Sequence, residues 1–311
     1  MPDEDVQFEQ DSGGPAFEAV DIPRPGRAQG QWGLGYSEPL TPQEQNKRNQ
    51  DGLDVYDRIV NEYSVRGWDS IDPADLSGRF RWYGLYTQRP EEDKRFMMRV
   101  RVTGGQLTSE QLIACADIAD RWGQGVVDVT DRQNFQFHNI RIEDVPRIWA
   151  TLAAVQLSTM EACGDTPRNM LGCPTAGVDA DEYIDATPYL DAVSRRLTGT
   201  REFSNLPRKF KVSITGCTHR CAADEINDIG AVAHRVEGQV GFDVAVGGGL
   251  STTPFFARSL GAFVAPDQLV GVCVGITEVF RDYGFRRARN HARLKFLMIE
   301  WGPEKFREVL E

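Results

Sequence analysis

The sequence predicts an α+β protein: a ferredoxin-like half-domain followed by a second α+β region. Three observations carry that prediction. Phe96 to Val102 alternates strictly between apolar and polar or basic residues, the period of a half-buried strand. An amphipathic helical pattern, two more strand patterns and a second helical pattern follow, in the order strand, helix, strand, strand, helix. Beyond Cys163 new strand patterns run into long helical ones. A length of 311 residues gives two domains as the prior.

Taken in order, residues 1–30 are acidic, with scattered Gly and Pro and little apolar periodicity, and read as a disordered tail. Residues 31–78 form an N-terminal arm with helical content around Leu53 to Tyr63. The ferredoxin-like half-domain spans residues 79–158. In its first strand Phe96, Met98, Val100 and Val102 share one face, and Met97, Arg99 and Arg101 the other. Thr108 and Gln111 have capping-box spacing before a helix that runs to about Trp122. Residues 126–130 and 135–142 read as strands, and Asp144 with Pro146 starts another helix through Leu152. The second region spans residues 159–311. It contains a strand ending at Thr215, another running into Gly247-Gly248-Gly249, a helix from Asp267 to Tyr283 stopped by Gly284, a basic helix to about Glu300, and a last helix after Gly302-Pro303.

Composition excludes several classes of function. Lys and Arg number 35 against 46 Asp and Glu, a net charge of −11. So acidic a chain lacks the basic face that nucleic-acid phosphates or an anionic membrane require. No apolar run is long enough to span a bilayer, and the acidic first residues hold no secretory signal, which points to the cytoplasm. Six cysteines are too few for a disulfide scaffold. Cys115 and Cys273 lie in apolar helical patterns and read as core residues.

The residues that carry chemistry begin with the strand Lys209 to Thr215. Phe210, Val212 and Ile214 form its apolar back, which puts both Lys209 and Lys211 on the opposite face. Arg99 and Arg101 repeat the arrangement on the earlier strand. Two such strands are suited to line a cationic pocket that concentrates small anions. Cys217 and Cys221 follow the lysine strand directly, with Cys163 and Cys173 upstream. Thiolates at such spacings hold iron–sulfur clusters or zinc, or simply pack. Zinc held by Cys217, His219 and Cys221 lacks a fourth ligand on its own segment. Gly247, Gly248 and Gly249 form a turn after a strand whose backbone N–H groups are candidates to hold a phosphate or carboxylate.

Several segments, in order, resemble the siroheme-dependent sulfite and nitrite reductases. They are GRFRWYGLYTQ (78–88), FMMRVRVTGG (96–105), TDRQNFQFHNI (130–140), EACGDTPRNMLGCPTAG (161–177), NLPRKFKVSITGC (205–217), EINDIG (225–230), VGGGLS (246–251) and VFRDYGFRRARNHARLKFL (279–297). The likeness is nearest to the ferredoxin-dependent sulfite reductase type of actinobacteria. The resemblance implies the sulfite/nitrite reductase repeat and the reduction of sulfite to sulfide with six electrons from reduced ferredoxin. Its alternatives are nitrite reduction to ammonia and a non-catalytic, cofactor-binding remnant.

The same resemblance implies roles for residues. Arg99, Arg168, Lys209 and Lys211 would surround the substrate anion, with Tyr86 and Cys163 nearby as proton donors. Arg132, Gln136 and His138 would contact siroheme, a polycarboxylate suited to arginine forks. Family members have two related halves, and the second supplies the ligands of the 4Fe–4S cluster. This chain matches the first half and ends in a helical pattern, so a C-terminal half is expected as a partner. Cys217 and Cys221 resemble the second-half ligand pattern and are expected to pack as a relic; cluster ligation by them is the alternative.

Overall fold

The computed structural model describes residues 40–311, so the acidic segment 1–30 lies outside the described residues. Thr41 caps helix α1 (Pro42–Asn49), its hydroxyl accepting the Glu44 amide at 3.2 Å. The chain then winds through short helical turns from Gly52–Val55 to Ser64–Arg66, burying Val55, Ile59 and Tyr63. The helical content read around Leu53 to Tyr63 is present, as an irregular run of mixed turns.

Strands β1 (Leu85–Thr87), β2 (Phe96–Val100), β3 (Val127–Val129) and β4 (Phe135–Ile140) form an antiparallel sheet in the order β1-β2-β4-β3. The alternation of β2 is realised: Phe96, Met98 and Val100 are buried while Met97 and Arg99 are half-buried. Helices α2 (Ser109–Trp122) and α3 (Val145–Ala154) bring Cys115, Ile118, Ile148 and Leu152 to the same core as those strand residues. Helix α2 begins with the full Thr108–Gln111 capping box. The edge beside β2 is taken by β1, from upstream. After α3 the chain adds only one bridge, Arg101 to Ser158.

That bridge corrects the reading of Arg101. The strand ends at Val100, and the Arg101 guanidinium turns inward instead of sharing the face of Arg99. It donates to the carbonyls of Glu161 and Pro167, each at 3.1 Å, and to the Thr198 hydroxyl at 2.9 Å. It is a structural clamp on the segment that follows.

A second sheet holds β5 (Val212–Thr215), β6 (Ile229–Val236), β7 (Gln239–Val246) and β8 (Arg258–Val264) in sequential order; β5 and β6 are parallel and the rest antiparallel. Helices α4 (Thr187–Leu197), α5 (Leu269–Tyr283) and α6 (Leu294–Leu310), the last broken by a kink at Gly302 before Pro303 as expected, share its core, where Phe210, Val212 and Ile214 meet Val193, Cys273, Phe280 and Leu297. Among the described residues no helix is long and apolar enough to cross a membrane.

Three local readings change. Gly284 ends α5 in an extended conformation, not a left-handed one. A Cβ there would strike the Phe280 carbonyl, so close approach explains the glycine. The basic run after Gly284 is irregular up to Leu294, because Arg286, Arg289 and Arg293 point inward to acidic partners. The turn at Gly247–Gly249 leads to β8 and not to a helix.

Candidate functional site

The site is organised by a short parallel pairing along the free edge of β5. Residues 167–171 run beside residues 210–214, with Arg168 N–H donating to the Phe210 carbonyl at 2.7 Å, Leu171 N–H to Val212 at 3.0 Å, and Ile214 N–H to Leu171 at 3.0 Å. The start of this ladder carries Arg168, Lys209 and Lys211. Its far end leads to Cys173 and Cys217.

At the start of the ladder cations converge. Lys209 and Lys211 are half-buried, and neither ammonium group has an ion-pair or hydrogen-bond partner among the described residues. Burial lowers the Lys209 amine to about 8, helped by the charges of Arg168, Arg293, Lys211 and Arg208. Burial lowers Lys211 likewise to about 8, with Arg132 and Arg293 adding repulsion. Arg168 is aimed by its own loop: Nε donates to the Gly164 carbonyl at 3.0 Å and Nη1 to that of Ala162 at 3.4 Å. An anion placed among these groups would relieve their mutual repulsion.

The outer face of the first sheet supplies the neighbouring wall. Arg99 and Gln136 are directly opposed across β2 and β4, and Arg99 Nη2 donates to Gln136 Oε1 at 2.7 Å. Arg99 Nη1 reaches the Cys163 sulfur at 3.3 Å. The Tyr86 phenol lies against the same thiol; burial pushes its pKa up, Cys163 adds to this, and Arg168 and Arg99 oppose it. Arg99, Arg168, Tyr86 and Cys163 are therefore brought together. His138 stands farther along β4, its Nε2 2.9 Å from Asp128 Oδ2 and 3.4 Å from Gln136 Nε2.

Arg132 crosses between the two sheets, with Nη1 on Asn227 Oδ1 at 2.9 Å and Nη2 on the Asn169 carbonyl at 2.6 Å. Its buried Nε has no partner among the described residues. Burial and then Arg168 lower its pKa to about 10. An unspent arginine donor beside two unpaired lysines suits a polycarboxylate, so these residues fit siroheme. The glycine turn does not offer the donors read from sequence. Gly247, Gly248 and Gly249 give their N–H groups to the carbonyls of Asp228, Asn227 and Phe255 at 2.8–2.9 Å.

The anchors of this site were not legible as functional residues. Asp165, within EACGDTPRN, is buried and takes both oxygens to Arg289 at 2.6 and 2.8 Å, with Lys47 at 3.3 Å and Arg208 at 3.4 Å. Burial alone would raise its pKa, but Lys47, Arg289 and Arg208 hold the carboxyl well below the usual range. Arg293 donates to Asp228 at 2.9 Å, and Asp228 also accepts the Lys211 amide at 2.8 Å. Glu161 accepts the Gly199 amide at 2.6 Å, and burial pushes its carboxyl up to about 7. The only sequence signal for these pairs was the isolated acid between Cys163 and Arg168 and the basic run at residues 281–295.

All six cysteines are free. Cys163 keeps to Arg99 and Tyr86, whereas Cys173, Cys217 and Cys221 gather at the far end of the ladder, the Cys221 thiol against that of Cys173. Four thiols do not converge, so these residues do not form a four-cysteine nest for a 4Fe–4S cluster. Cys115 and Cys273 are fully buried in the two cores, as their helical patterns suggested.

Comparison with known proteins places this geometry. Residues 163–311 match the nitrite and sulphite reductase 4Fe-4S domain, and residues 89–155 the nitrite/sulfite reductase ferredoxin-like half domain. A sulfite reductase (ferredoxin) of Mycobacterium tuberculosis is 46% identical over 305 residues, covering 93% of this chain and 55% of that protein. An assimilatory ferredoxin-dependent nitrite reductase of Haloferax mediterranei is 39% identical, over 86% of this chain and 49% of its own length. The solved structure of the Mycobacterium tuberculosis NirA protein superposes with a TM-score of 0.85 at 46% identity, covering 91% of this chain and 54% of that one. The chain thus spans about half the length of the curated relatives it matches.

Proposed function

Because this chain belongs to the nitrite and sulfite reductase family, we propose that it supplies the oxyanion-binding, siroheme-facing part of a ferredoxin-dependent sulfite reductase. The observation that carries this reading is the pair of half-buried lysines, Lys209 and Lys211, unpartnered among the described residues and set among Arg168, Arg132 and Arg293. In this reading Lys209, Lys211, Arg99 and Arg168 neutralise the charge of the bound oxyanion as it is reduced. Tyr86 and Cys163 hold protons beside it. Arg132, through its spare Nε, and Gln136 and His138 hold the siroheme carboxylates and edge. Bound siroheme would supply the redox iron that passes electrons to the substrate.

Reduction of sulfite to sulfide consumes six electrons, for which reduced ferredoxin is the proposed donor, and the 4Fe–4S ligands would come from polypeptide outside this chain. A reducing cytoplasm is the setting in which six free cysteines persist. Sulfite is favoured over nitrite because relatives named as sulfite reductases are 44–46% identical and those named as nitrite reductases 38–40%. Comparison of kcat/KM for the two anions in an enzyme of full family length tests this. Sulfite should lead by at least an order of magnitude; a tenfold preference for nitrite would reverse the assignment.

A further inference from the structure

We propose that Asp179, Cys217 and His219, completed by Cys221, form a site for zinc or a divalent cation of similar softness, at the end of the ladder opposite the cationic pocket. One ligand atom from each of Asp179, Cys217 and His219 lies within 4.8 Å of the other two. Tetrahedral zinc with bonds of 2.0–2.3 Å needs ligand atoms roughly 3.3–3.8 Å apart, so side-chain rotation of about 1 Å closes the set. Carboxylate, thiolate and imidazole are each established zinc donors. The fourth ligand missing from the segment 217–221 is thus supplied by a second loop.

The backbone explains why the loops meet. Tyr183 N–H donates to the Gly216 carbonyl at 2.8 Å, and any side chain at Gly216 would strike the Ile184 carbonyl. Glu182 closes the second loop by accepting the Gly177 amide at 2.8 Å. His219 is already oriented as a ligand: Nδ1 is 3.7 Å from Asp179 Oδ2, while Nε2 is 3.7 Å from Asp181 Oδ2. A carboxylate behind a metal-bound imidazole fixes its tautomer and raises its basicity. The Cys221 thiol is exposed, bonded to Cys173 and within electrostatic reach of Cys217 and Asp179, so turning it away from Cys173 would complete the four. The neighbouring cation, Arg220, is engaged by Asp224 and Glu225.

Zinc titration of the reduced, metal-free chain should show one equivalent bound. Cobalt in its place should give a thiolate charge-transfer band and the intense d–d bands of a tetrahedral site. His219→Ala, at a side chain 51% exposed, should keep the circular dichroism of the parent and lose most of the affinity. Cys221→Ser should weaken the charge-transfer band, and Cys173→Ser should leave it intact. Asp181→Asn should weaken binding about tenfold without moving the bands. A cobalt spectrum without thiolate character, or parental affinity in His219→Ala, overturns the proposal. So does metal binding that persists once Cys173 and Cys221 are joined in a disulfide.

Discussion

Asp165→Asn is the most informative single change to the protein. The carboxylate is 2% exposed and faces Lys47 from α1, Arg208 before the lysine strand and Arg289 from the basic run. An amide keeps the shape but leaves three cations around an uncharged group. Removing one partner of a buried ion pair costs about 3–5 kcal/mol. At roughly 2 °C per kcal/mol for a unit of this size, the thermal midpoint should fall by about 6–10 °C. Because the folded carboxyl sits below its ordinary range, its contribution is complete above the unfolded value near 4 and is lost as pH falls further. The parent should therefore lose stability more steeply than Asp165→Asn between about pH 4 and pH 2. Thermal denaturation followed by circular dichroism across that range is the assay. A midpoint within about 2 °C of the parent at pH 7, or parallel acid limbs, would refute the assignment of Asp165 as the charge that binds the arm, the Cys163–Arg168 loop and the basic run together.

Other outcomes follow from the same geometry. Lys209→Met or Lys211→Met, in an enzyme of full family length, should preserve the siroheme spectrum while turnover falls on the order of a hundredfold; loss of siroheme with normal turnover in the remaining holoenzyme would make them cofactor clamps. With both amines lowered to about 8, anion binding should weaken as pH rises through 8 and take up protons above it, which calorimetry in buffers of different ionisation heat will detect. Between pH 8 and 10.5 the unfolded chain holds more protons at these lysines, so their contribution to stability rises with pH. Glu161 has the opposite sense to Asp165: its raised pKa favours folding below the unfolded value of 4.5, and that advantage is lost as pH rises through about 7. Glu161→Gln should match or exceed the parent in thermal midpoint above pH 7, and a large loss there would contradict this. The isolated 311-residue chain should show little sulfite turnover, and robust turnover would show that no further polypeptide is required.

Where a single period governs a segment, the sequence was enough. The alternation of Phe96 to Val100 and of Phe210 to Ile214 located the buried faces and left Arg99, Lys209 and Lys211 on the open ones, because a strand gives each residue only two directions. The capping box of Thr108 and Gln111 was legible because it is local chemistry. Arg101 was misjudged because alternation says nothing about where pairing stops. The basic run from Arg281 to Lys295 looked like part of a continuous basic helix. Its conformation is instead set by Glu44, Asp165 and Asp228, which lie tens to hundreds of residues away. Gathering Cys173 with Cys217 and Cys221, apart from Cys163, needed the parallel pairing that no spacing rule encodes.

That pairing also acts as a ruler. Amide–carbonyl bonds pin it at Arg168 and at Leu171, and five extended steps from Arg168 to Cys173 span about 16 Å between the pocket and the thiols. Inserting or deleting one residue at 169 or 170 would pull Leu171 out of register with Val212 and Ile214 and displace Cys173. A change of one residue at the exposed turn Glu237-Gly238, which lies outside the pairing, would leave both ends in place. Length variation among chains of this kind should therefore be confined to segments outside the ladder, whatever the side chains along it become.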